Sequence, residues 1–180
     1  MKNFSFILLS IIIAFLQLSV VGVFFGSLAI PNLLLVFALS LVLLKGFDYS
    51  LKWLILASLI VDAGASWIIG TGTLLIVIIS FLVGFMASIA DIRSRRLLFW
   101  PSFTLLIAIL TWAYDQLANV AIRVENYDVG KKWPSGSVNN IGSEYFIKIF
   151  FTVLAGYAVY YIVKKLDRIY EKPARIISRM

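Results

Sequence analysis

The chain has 180 residues, of which 62% are hydrophobic and 14% charged, and its mean hydropathy is +0.99. A soluble domain is nearer half apolar and a quarter charged, so this composition excludes one and leaves an integral membrane protein with no room for a separate soluble domain. The net charge is +7, but the basic residues gather in short loops and a tail without interleaved aromatics, which reads as membrane topology rather than nucleic-acid binding.

The chain holds no cysteine and no histidine. That excludes disulfides, thiolate chemistry and the commonest zinc ligands, and removes the general base used most often near neutral pH.

Six apolar segments follow in chain order, each close to the ~20 residues that cross a hydrocarbon core. They cover residues 4–25, 27–44, 53–69, 73–90, 97–114 and 145–163. The fold expected is all-α, with six transmembrane helices over residues 1–164 and a basic cytoplasmic tail at 165–180. The first segment is longer than the ~7–15 residues of a signal-peptide core and lacks a small-residue cleavage site, so it reads as a span. Pro31 and Pro101 fall near the starts of the second and fifth spans, where an N–H has no partner to lose.

Lys and Arg set the orientation. Lys2, Lys45, Lys52, Arg93, Arg95, Arg96 and the tail from Lys164 to Arg179 hold 12 of the 16 basic residues. The opposite set is Arg123, Lys131, Lys132 and Lys148, so both termini are expected in the cytoplasm. Segment 115–144 then faces outward, with Trp133 as an interfacial anchor. Its start, "QLANVAIRV", either extends the fifth helix or lies along the interface. "DIRSRR" at 91–96, with Arg93, Arg95 and Arg96, and the tail residues Lys164, Lys165 and Arg168 read as topology signals first. A lipid or acidic-partner contact, or a short amphipathic helix in the tail, is the second reading.

Asp62 is the most unusual residue, because no basic residue lies nearer than Lys52 on its own helix. A central carboxylate costs about 2.5–3.5 kcal/mol to insert, so it should face other helices, where the neutral form is favoured. Ser58, Asp62 and Ser66 fall four apart and share one helix face; Ser80, Gly84 and Ser88 form a matching stripe on the fourth span. A tight turn at Gly70 joins these spans, so the two stripes are expected to pack as a hairpin. Gln17 is placed to donate to Asp62 if the first and third spans touch.

Three roles compete for Asp62: a protonatable relay in a transporter, a structural hydrogen bond, and a contact to a partner's helix. Relays usually combine several acids, a histidine or an arginine, and Asp62 has none of these beside it in sequence. The structural or partner role is favoured, with the expectation that its hydrogen bonds matter and its charge does not. "GTGT" at 70–73 reads as a short turn, not a nucleotide motif. With no Ser-His pair, metal-ligand cluster or phosphate loop legible, no catalytic, metal or cofactor site is expected.

The order of these features resembles the rod-shape-determining membrane protein family MreD over about residues 1–120. The likeness lies in "AFLQLSVV" with Gln17, in "IPNLLLVFALSLVLLKG", and in "ASLIVDAGASWIIGTGTLLI" with Asp62 and Gly70. The chain departs from it at Ala57 and Ser58, where a glycine is common, and in the length of segment 115–144.

The resemblance implies a non-enzymatic scaffold of the bacterial cell-elongation machinery, in the cytoplasmic membrane, that helps maintain rod shape. It would bind a bitopic periplasmic partner of the MreC type and link cytoskeletal filaments to peptidoglycan synthesis. It also implies a fold similar to the substrate-binding subunits of energy-coupling-factor vitamin transporters. Such a subunit is the alternative function; its outer pocket would draw on Trp67, Trp112, Tyr114 and Asp115.

Overall fold

The computed structural model describes residues 2–20, 31–64, 70–90, 96–128 and 143–171. Sequence expectations for Ser66, Trp67, Arg93, Arg95 and Trp133 lie outside the described residues. Everything described is helical or a short link: α1 Lys2–Phe15, continued by a π-helical turn Leu16–Val20, then α2 Leu33–Lys45, α3 Phe47–Gly64, α4 Thr71–Ala90, α5 Arg96–Asp128 and α6 Ser143–Glu171.

The second helix is the axis of the bundle. Ten consecutive residues of α2, Leu34 to Leu43, are buried, and the helix touches all five others. Its sequence explains this: apart from Ser40, every residue from Leu33 to Leu44 is apolar, so no face of the helix is suited to water. The other helices form an arc around it, α1 beside α3, α3 beside α4, α4 beside α5 and α5 beside α6.

Contacts at both ends fix the directions. Asn32 and Lys148–Thr152 meet at one end of α2 and α6, and Lys45 pairs with Asp167 at the other, so these helices run parallel. Helices α3 and α4 run antiparallel, with Asp62 beside Thr73 and Gly84 packed on Phe47. Helices α5 and α6 do likewise, from Asp115–Lys148 to Thr104–Tyr157. One end thus collects Lys45, Lys52, Lys164, Lys165 and Arg168 (the basic end); the other holds Asp62.

The links are short. Gly46 alone joins α2 to α3, at φ +87°, a left-handed conformation that a side chain disfavours. Its N–H returns to the Val42 carbonyl at 2.8 Å, and Ser50 caps the turn by donating to the Gly46 carbonyl.

Among the described residues, three helical segments are long and apolar enough to cross a membrane: Thr71–Ser88, Trp100–Val120 and Tyr145–Ile169. The described helices differ in length more than the six segments of near 20 residues read from the sequence. Helix α2 has 13 residues, about 20 Å against a core of about 30 Å. Helix α3 begins at Phe47 and includes Asp48, Ser50 and Lys52, which the sequence had placed in a loop. It ends at Gly64, so Asp62 lies in its last turn rather than at mid-span.

Helix α5 runs for 33 residues, about 50 Å, so the start of segment 115–144 continues the fifth helix as far as Asp128. Helix α6 carries the tail's Lys164, Lys165 and Arg168 on the same unbroken helix. Pro31 precedes the N-cap Asn32 rather than sitting in the first turn, whereas Pro101 is inside α5.

The outward faces are apolar. Leu74, Ile78, Phe81 and Phe85 on α4, Leu105 and Ile109 on α5, and Phe150 and Leu154 on α6 are exposed. Such continuous apolar surface is what a lipid-facing bundle presents and what a soluble monomer avoids.

Candidate functional site

Every helix starts with N–H groups that lack an intrahelical partner, and in an apolar bundle each one left open is expensive. Helix α4 has no side chain of its own to close this end, because its N-cap residue is Gly70. The Gly70 carbonyl accepts the first helical bond from Leu74 N at 2.8 Å, and its φ is +103°.

Asp62 supplies what Gly70 lacks. Its Oδ2 accepts from Gly70 N at 3.0 Å, from Thr73 N at 2.9 Å and from the Thr73 hydroxyl at 2.8 Å. In a capping box, one side chain serves the N3 amide and another serves the N-cap amide. Here one oxygen, brought from the preceding helix, serves both. The carboxylate is 4% exposed, and Gly72 lies against it so closely that a Cβ there would overlap Oδ1.

This accounts for a hydrogen-bond acceptor at the position, and the Asp62→Asn variant tests the expectation that its charge is immaterial. Three donors converge on one oxygen at the positive end of the α4 dipole, where a formal negative charge is best placed. The last turn of α3 is a poor place for an anion on its own, since the dipole there is negative. The neighbouring helix start reverses that balance.

Gln17 does the same work for α2. Its Oε1 accepts from Leu33 N at 2.7 Å, and the side chain of Asn32 accepts from Leu35 N at 3.0 Å. The expected Gln17–Asp62 bond does not form; each residue instead closes the helix that follows its own. The π-helical turn at Leu16–Val20, one residue wider per turn, carries Gln17 to this place.

The layer continues across the bundle. Asn32 N donates to the Thr152 hydroxyl at 3.3 Å, which donates to the Lys148 carbonyl at 2.7 Å. Lys148 Nζ meets Asp115 at 2.7 Å, joining α6 to α5. The Tyr114 phenol lies within electrostatic range of both Asp62 and Asp115. Trp112, expected to help line an outer pocket, is exposed instead.

The two polar stripes behave unequally. Ser58 is fully buried and donates back to the Leu54 carbonyl at 2.6 Å. Ser80 is buried with no hydrogen-bond partner among the described residues. Gly84 lets α4 approach Phe47 and Val42, so it faces α3 and α2 as a small residue should. Ser88 leaves the stripe: it is exposed and bonds the Phe85 carbonyl. Among the basic residues, Arg96 opens α5, while Lys164 sits 5.5 Å over the Tyr160 ring.

Sequence reading missed Thr73, Gly72, Asn32 and Thr152. A signal was present for the first two. "GTGT" opens a helix with no acidic or hydroxyl N-cap, so the oxygen had to come from elsewhere, and Asp62 was the unexplained acceptor nearby. Among the described residues no three acidic, histidine or cysteine side chains gather as a metal site. Compared with models of known protein families, with curated proteins and with solved structures, the chain has no match.

Proposed function

We propose that this chain is a non-enzymatic scaffold of the MreD type, spanning the bacterial cytoplasmic membrane six times with both termini in the cytoplasm. Its work is to seat a bitopic periplasmic partner of the MreC type and other wall-elongation proteins, and so to help maintain rod shape. The observation that carries this reading is the placement of the two polar residues that mark the resemblance. Gln17 and Asp62 each close the N-terminus of the next helix, the work of architecture rather than of a relay. Three apolar helices, an axial fourth and the basic end support a multi-pass membrane protein oriented by its cations.

The test is co-purification in mild detergent. A bitopic coiled-coil partner recovered at a fixed ratio supports the scaffold. A stoichiometric vitamin-like molecule found by mass spectrometry would refute it in favour of the transporter subunit.

A further inference from the structure

The basic end carries a second feature, independent of the Asp62 layer. Four rings pack between α5 and α6: Trp100 lies 5.2 Å from Tyr157 and 5.7 Å from Tyr160, and Phe103 lies 5.3 Å from Tyr160. The Thr104 and Tyr157 hydroxyls are hydrogen-bonded beneath them. Trp100 remains 44% exposed despite these contacts.

On α6, Tyr157, Tyr161, Lys164 and Arg168 recur every three or four residues and so form one stripe along the seam with α5. Lys45 nearby is neutralised by Asp167, but Lys164, Lys165 and Arg168 meet no carboxylate among the described residues. Toward the middle of the bundle the flanks turn apolar, with Leu105 and Leu154 exposed.

We propose that this seam binds an anionic phospholipid along its surface, its phosphate on Lys164 and Arg168 and its chains along Leu105 and Leu154. Charge and polarity together select that occupant. Unpaired cations call for an anion, and the apolar flank continuing directly below calls for acyl chains. A soluble acidic protein satisfies only the first. The Trp100 and Tyr161 rings, amphipathic and at the junction of the two regions, are placed as interfacial side chains are. Lys164 is held over Tyr160, which keeps its ammonium beside the aromatic seam.

The test uses the full chain in detergent, titrated with phosphatidylglycerol and with phosphatidylcholine of the same chains, and read by native mass spectrometry. Phosphatidylglycerol should be retained preferentially. The Lys164→Ala/Arg168→Ala pair should lower that preference by about fivefold per residue removed. Trp100→Ala should weaken both lipids alike, and Lys52→Ala, on α3, should change neither. Equal retention of the two lipids by the native chain overturns the proposal. So does a preference that survives in the double variant, or one that Lys52→Ala removes to the same degree, since charge without a site would then suffice.

Discussion

Replacing Asp62 separates hydrogen bonding from charge. Asp62→Ala leaves two amides and one hydroxyl without the acceptor they share, and at about 1 kcal/mol net for each bond the loss is about 3 kcal/mol. Asp62→Asn keeps an oxygen in the same place and forfeits the interaction of a full charge with the helix terminus, about 1 kcal/mol at a partly buried site. For a chain of this size each kcal/mol moves Tm by about 2–4 °C, so the expected shifts are about 6–12 °C for Ala and 2–4 °C for Asn. Circular dichroism in mild detergent measures both. Hydrogen exchange at Gly70 and Thr73 supplies the local readout, with loss of protection in Ala and partial retention in Asn. If Asn matches the native chain, the charge is immaterial. If Asn falls as far as Ala while both insert normally, the shared-oxygen cap is wrong.

Gly72→Ala should displace the Asp62 carboxylate and lower Tm like Asp62→Ala, and the two together should lose less than the sum of the single changes. Gln17→Ala should lower stability by about 0.5–1.5 kcal/mol, less than Asp62→Ala, because Leu33 N keeps a 3.1 Å contact with the Pro31 carbonyl. Gly156→Ala, whose Cβ would come within 2.5 Å of Ile107, should cost about 1–3 kcal/mol by chemical denaturation, and Ile107→Val should recover part of it. Lys148→Ala should destabilise by about 1–3 kcal/mol through the stranded Asp115, and the charge-swapped pair should regain some of that in the same thermal assay.

Hydropathy located the helices but not their ends. It tracks where a chain meets lipid, whereas helices continue wherever hydrogen bonds and packing allow. So α4 was expected at 73–90 and found at Thr71–Ala90, while α5 and α6 run on through charged residues that hydropathy reads as loop. The start of α3 was missed for the same reason: "FDYSLKW" is polar, yet Trp53 packs on Phe6 in the core and Lys52 lies 4.7 Å over the Trp53 ring. The importance of Gln17 and Asp62 was legible because polar atoms are rare in such a chain. Their partners were harder to read, because Leu33, Gly70 and Thr73 take part through backbone amides, which carry no signal in residue type, and only the Thr73 hydroxyl adds one.

The axial position of α2 bears on how the protein is made. It is the second helix in the chain, so it precedes four of the five helices that enclose it. Until they follow, its neighbours are acyl chains, and only an almost wholly apolar helix tolerates both lipid and protein surroundings.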